Sequence, residues 1–280
     1  MSSYLNAYEI LKQVRMSIDE YDEDIVQGVT TVTAINNNYI MSKINEAQRY
    51  IYASLVKRIP DKFLTSLAIT FSGSVANLPW DYAFIDELKD ENGYKVHHIK
   101  MKLKTPVVTT GSSNFYYQKG RQLFLDKDGI TATYTLLYTT KPRDIDQGRI
   151  TATGTNTITL DSSAKKIDDY YNGMIIENIH SDYIDTITDY TSDRIATVSN
   201  AAEIEDVYGI VPEIPEPFHF LIPLKATLDI KSQHPLVKEK ANTIDYTAFE
   251  EMFRETLFAF ASPAEDISID EVLTQYDQIL

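Results

Sequence analysis

The chain contains no cysteine. Disulfides, thiolate metal sites and cysteine nucleophiles are excluded with it, and the protein is indifferent to the redox state of its surroundings. Long apolar runs are missing too, since nothing approaches the roughly 18–20 residues that a membrane-crossing helix needs. The opening MSSYLNAYEILKQ has no basic segment followed by an apolar one, so a signal peptide is not expected. The five histidines, His97, His98, His180, His219 and His234, stand in no metal-ligand spacing. No GxGxxG or GxxxxGK[ST] loop is present to cradle a phosphate, and no GxSxG elbow to raise a nucleophile. Asp126-Lys127-Asp128-Gly129 begins like a calcium loop, but the ITATYTLLY that follows lacks the glutamate that completes one. Paired carboxylates carry no information in a chain with 41 acids. The expectation is a non-enzyme with no catalytic residue, no cofactor and no metal.

What is present is an ordinary globular mixture in 280 residues, 43% hydrophobic and 24% charged, with a formal net charge of −15. Such a field does not hold duplex phosphates, because that affinity rests on lysine and arginine displacing counterions. It keeps a protein soluble, and it also suits a surface that meets DNA without adhering to it. One stretch breaks the pattern. From Lys95 to Arg121 there is no Asp or Glu, while Lys95, Lys100, Lys102, Lys104, Lys119 and Arg121 all fall within it. It can serve as a solvated strand face, or as a basic strip that meets the acidic surface of another copy. A nucleic-acid role has only Phe115, Tyr116 and Tyr117 as stacking rings.

Helical spacing marks both ends of the chain. Leu11, Val14 and Ile18 recur along one face between Ala7 and Glu20, and the acidic run Asp19, Glu20, Asp22, Glu23, Asp24 closes the segment. Asn36, Asn37 and Asn38 offer N-caps for a second helix with the stripe Ile40, Ile44, Ala47, Ile51 and Leu55. Lys57 and Arg58 suit its negative end, and Pro60 stops it. Near the other terminus, Pro217 is placed to begin a helix through Leu228. A last helix runs from about Asp245 to Ala261, with Phe249, Phe253, Leu257 and Phe260 on one face.

Between these ends the signals are β. SLAITFSGSVANLPWDY reads as two strands around a Ser/Gly break, and Lys95–Lys104 alternates Ile99, Met101 and Leu103 with His98 and the lysines. RQLFLDKDGITATYTLLY predicts a hairpin turning at Asp128-Gly129. Residues 148–203 are rich in Thr, Asp, Asn and Ile, with short strands expected at Thr157–Leu160, Met174–Ile179, Tyr183–Thr188 and Arg194–Val198. That spacing predicts an inserted β-sandwich or β-barrel module. The tail, residues 263–280, mixes Ile267, Ile269, Val272, Leu273, Tyr276, Ile279 and Leu280 with acids, and reads as a docking segment.

The order of these features resembles the head–tail adaptor, or neck connector, proteins of tailed bacteriophages. The likeness lies in residues 1–82 and 217–262: INEAQRYIYASLVKRIP before the first strand, then Leu78-Pro79-Trp80-Asp81-Tyr82, which looks like the family's Leu-Pro-x-Asp-aromatic turn, and finally FHFLIPLKATLDIKS. The insert NGMIIENIHSDYIDTITDYTSDRIATVS is similar to a β-module of some neck proteins. The resemblance implies an α+β fold with a helical adaptor core of two N-terminal and two C-terminal helices, an antiparallel β region and an inserted small all-β domain. The corresponding domains are 1–147 with 204–262, 148–203, and the tail. It implies a homo-oligomeric ring, usually of twelve copies, below the portal protein, with tail or neck proteins on its other side. DNA passes through such a ring without sequence-specific binding, no membrane is involved, and the protein belongs to the virion after assembly in the bacterial host cytoplasm. Family members commonly send a C-terminal segment onto the portal. Function is then expected to reside in surfaces, chiefly Lys95, Lys100, Lys102 and Lys104 and the apolar residues of the tail. The alternative is a virion module whose inserted β-domain binds a carbohydrate or a host surface.

Overall fold

Between Leu64 and Ile210 the chain is a succession of short β-branched and aromatic runs broken by turn residues, and it folds accordingly. The computed structural model describes residues 5–20, 26, 35–99, 115–127, 129–181, 183–199, 203–237 and 240–261. Fourteen strands and four α-helices lie among them, and the strands make two seven-stranded sheets. The expectation of a helical core with a subordinate β region is thereby corrected: the protein is mostly β. Helical periodicity is strong over long segments, whereas strands of two to nine residues signal weakly one at a time. Their number outweighs the helices only when the pairing between distant segments is known. The chain divides into two compact units, Ser54–Pro142 on one hand and Met1–Ala53 with Arg143–Leu280 on the other.

The Ser54–Pro142 unit contains β1 (Leu64–Phe71), β2 (Val75–Asn77), β3 (Tyr82–Lys89), β4 (Lys95–His98), β5 (Phe115–Lys119), β6 (Gln122–Leu125) and β7 (Ala132–Thr140). Their order in the sheet is β1-β7-β3-β4-β5-β6-β2. The two end strands are consecutive in sequence, and Ser72 and Val75 bridge them, so the sheet curls until its ends meet. Ser74, at φ 71°, holds that corner; its hydroxyl donates to the Lys127 carbonyl at 2.5 Å and accepts from the Ile130 amide at 2.9 Å. Phe71, Leu88, Leu123, Leu125, Leu136 and Tyr138 fill the inside. The predicted Asp128-Gly129 hairpin is not formed. Gly129 does take a positive φ, but β6 pairs with β5 and β2 while β7 lies between β1 and β3. The hairpin instead joins β5 to β6, where Gly120 takes φ 61°.

In the other unit β8 (Gln147–Thr153), β9 (Thr157–Leu160), β10 (Ile175–Asn178), β11 (Tyr183–Thr186), β12 (Asp189–Tyr190), β13 (Ile195–Thr197) and β14 (Val207–Ile210) form a sheet of order β11-β10-β14-β8-β9-β13-β12. Again the end strands are sequence neighbours, with only Ile187 and Thr188 between β11 and β12. The segment 148–203 supplies most of this sheet, while β14 enters its middle from outside that range.

The helices of this unit are α1 (Ala7–Ser17), α2 (Asn37–Arg58, whose last turn belongs to the other unit), α3 (Leu221–Gln233) and α4 (Thr243–Ala261). Asn6 caps α1, its Oδ1 accepting from the Glu9 amide at 3.0 Å. The same side chain donates to Glu177 Oε2 on β10 at 2.6 Å, which seats α1 on the sheet. Asn36 caps α2 through the Tyr39 amide at 2.9 Å, and Ile40, Ile44, Ala47, Ile51 and Leu55 are all buried as their spacing predicts. Asn45 exchanges two hydrogen bonds with the backbone of Ile145, at 3.0 and 2.8 Å, and Gln48 donates to the Arg143 carbonyl at 2.6 Å. Pro217 lies in a 3-10 turn, Glu216–Phe218, ahead of α3 rather than at its first residue. Phe218 meets Phe253 and Phe260 of α4, ring centroids 5.9 and 5.3 Å apart.

Candidate interaction surfaces

An acid, a hydroxyl and an imidazole converge at Asp206. Asp206, its side chain buried, accepts from the His180 backbone amide at 2.9 Å, lies 3.0 Å from His180 Nδ1, and accepts a hydrogen bond from the Ser181 hydroxyl. The three residue types are those of a hydrolytic triad, but the wiring is wrong for one. A nucleophilic serine must be hydrogen-bonded to the imidazole that will take its proton, and the Ser181 hydroxyl donates to the carboxylate instead. Burial pushes Asp206 upward, but the Ser181 hydroxyl, the His180 amide and ring, and the Val207 amide outweigh it and hold the carboxyl below its ordinary value. The result is a loop clamp. His219 is likewise structural, its Nε2 2.8 Å from the Ile214 carbonyl, with burial depressing its pKa.

A second polar cluster lies within the β8–β14 sheet. The Tyr171 hydroxyl donates to Asp146, Tyr208 lies 3.1 Å from Ser163 Oγ, and Tyr190 donates to the Lys165 carbonyl at 2.6 Å. Burial raises Asp146 to about 6, against the opposing Tyr171 hydrogen bond, and raises the Tyr171 phenol well above its usual value. Asp161 fits beside Gly148, where any Cβ would collide with its carboxylate. These groups bond one another and bind the Asp161–Tyr171 segment to the strands; they cross-brace the fold. Among the described residues no set of three or more His, Cys, Asp or Glu is arranged to hold a metal ion. None of the described helices is long and apolar enough to cross a membrane.

Surfaces are more informative. Tyr116, Leu123 and Leu125 face the interior of the first sheet, so strand alternation turns Phe115, Tyr117 and Phe124 to its outside. Tyr117 and Phe124 are cross-strand partners whose rings stack 5.1 Å apart at 9°. Phe115, itself exposed, sits 6.1 Å from the ring of His97 on β4. Lys95 shares the His97 face of that strand and pairs with Glu87 at 3.5 Å. Lys119 at the end of β5 and Arg121 in the turn after it are exposed. On this face Phe115 is exposed, Phe124 half-buried and Tyr117 buried, with the cations Lys119 and Arg121 and with Lys95 held beside Glu87.

No family model matches the chain, and comparison with curated proteins found no match.

Of the residues expected to carry function, Lys95 is on this aromatic face. Lys100, Lys102 and Lys104 lie outside the described residues, as do Ile267, Ile269, Val272, Leu273, Tyr276, Ile279 and Leu280. Phe124 was missed because QLFL is apolar at three successive positions, which hides which of them face out. A second surface came from no motif at all. On α4, Ile244, Ala248, Glu251 and Glu255 are exposed along one stripe, opposite the buried Phe249, Phe253 and Leu257. At 77% exposure, Ile244 is the barest large apolar side chain among the described residues.

Proposed function

We propose that this protein is a structural component of the head–tail junction of a tailed phage, a ring-forming adaptor that extends the DNA channel below the portal and supports tail or neck proteins. The supporting observation is the succession of elements. The helices α1 and α2, the strands β1 and β2, the Leu78–Tyr82 turn, and the closing helices α3 and α4 follow one another as in the adaptor resemblance. The Leu78–Tyr82 turn is built as a brace. Leu78 is buried, the Asp81 carbonyl accepts from the Lys141 amide at 2.5 Å, and the Tyr82 hydroxyl donates to Gln118 at 3.0 Å.

The two curled sheets take a larger share of the chain than a minimal helical adaptor would need. In this reading they form the walls and outward platforms of the ring. The acid excess behind the net charge of −15 lies outside residues 54–142, where Lys and Arg outnumber Asp and Glu; in this reading the remaining, acidic part of the chain repels the DNA that slides past it. Negative-stain images of the purified protein mixed with its portal test the reading directly. Rings seated on the portal are expected; a protein that neither forms rings nor binds the portal would reject it.

A further inference from the structure

Two surfaces of the chain are mismatched with water in complementary ways. The outer face of β4–β6 carries His97, the exposed Phe115 and the half-buried Phe124 beside Lys119 and Arg121 and beside Lys95, which pairs with Glu87 of β3. The exposed stripe of α4 carries Ile244, Ala248, Glu251 and Glu255, with Arg254 beside them. Each pairs apolar surface with charge, and the predominant charges are opposite. In a chain with net charge −15, another copy approaches most readily where cations are concentrated. Two different patches on one chain also make a head-to-tail contact, the kind that closes a ring under rotation rather than a two-fold dimer.

We infer that the aromatic–basic face of β4–β6 receives the Ile244–Glu255 stripe of α4 from a neighbouring copy, and that this is the repeating contact of the ring. The inference rests on the adaptor reading for the ring and adds its interface. Lys119 and Arg121 face Glu251 and Glu255 across the contact, and Ile244 lies against Phe115 and Phe124. The rings and the aliphatic side chain exclude water, while the charges set register and reject the wrong face.

The absence of cysteine makes the contact easy to probe. Lys119→Cys and Glu251→Cys are prepared as separate full-length variants, mixed, and treated with a short bismaleimide. The mixture is expected to give crosslinked pairs containing one of each, and neither variant alone should do so. The double variant should give a ladder ending at the ring. A charge-reversal arm uses the same positions: Lys119→Glu should weaken assembly roughly tenfold, and adding Glu251→Lys should restore it. Rings in electron micrographs without mixed crosslinks, or assembly indifferent to Lys119→Glu, would overturn this interface while leaving the ring intact. Absence of rings at every concentration, with and without portal, would instead remove the adaptor reading and this contact together.

Discussion

Single atoms decide several positions. A Cβ on Gly209 of β14 would stand 2.5 Å from Asn6 Oδ1 and 3.0 Å from the Tyr8 amide nitrogen, where the start of α1 sits on the sheet. Gly209→Ala is expected to destabilise the protein by about 2 kcal/mol, measured by urea unfolding, because backbone must move to admit the methyl group. Asp146 gives a pH signature. Its folded pKa, about 6, lies above the 3.8 of a free aspartate, so the folded state holds that proton more tightly. The associated stability is fully present below the ordinary carboxylate pKa and is lost as pH rises through 6, a difference of roughly 3 kcal/mol. Asp146→Asn should flatten that dependence and raise the urea midpoint at pH 7, since Tyr171 can still donate to the amide oxygen. A variant whose midpoint tracks pH as the wild type does would show that the carboxylate is not the cause.

At the level of elements, α2 is the most fully legible. Its apolar stripe, capping asparagine and basic last turn are all local, and every stripe residue is buried. On α4, Phe249, Phe253 and Leu257 are buried as well, while Phe260, expected on the same face, is half-buried against Phe218. Legibility ended where pairing became distant. Nothing local joins Thr70 to Thr133 or Gln147 to Gly209, yet such pairs close the two sheets and make the protein mostly β. Alternation was equally silent about which face Phe115 and Phe124 take, because they lie in runs apolar on both faces, whereas Lys95 stands out in the sequence as charge in an acidic chain. Asn45 was not foreseen either: a polar residue on a helix face offers no sign that it pairs with a backbone a hundred residues away. Its two buried hydrogen bonds with Ile145 hold the entry to β8 against α2. Asn45→Ala should cost about 2–3 kcal/mol, because the Ile145 amide and carbonyl would both lose their partner in a buried setting. Native-state hydrogen exchange at the Ile145 amide checks it.

For the molecule as a whole, two cores mean two cooperative units. Leu136, fully buried in the first sheet, is shared by none of the strands β8–β14. Leu136→Ala should lower protection from exchange by about 2–5 kcal/mol across β1–β7 and leave β8–β14 near wild type. Uniform loss over both sheets would mean that the chain unfolds as one body. The hydrogen bonds near the borders of the units have a further consequence. The chain departs along α2 after Ala53 and returns at Arg143, whose carbonyl is held by Gln48 of that same helix. Residues 54–142 thus form an excursion with neighbouring points of departure and return. Such an arrangement lets the whole excursion be exchanged as a cassette. A lineage could re-tool the surface that this stretch presents by swapping it, with the clamp on α2 left in place to receive the substitute.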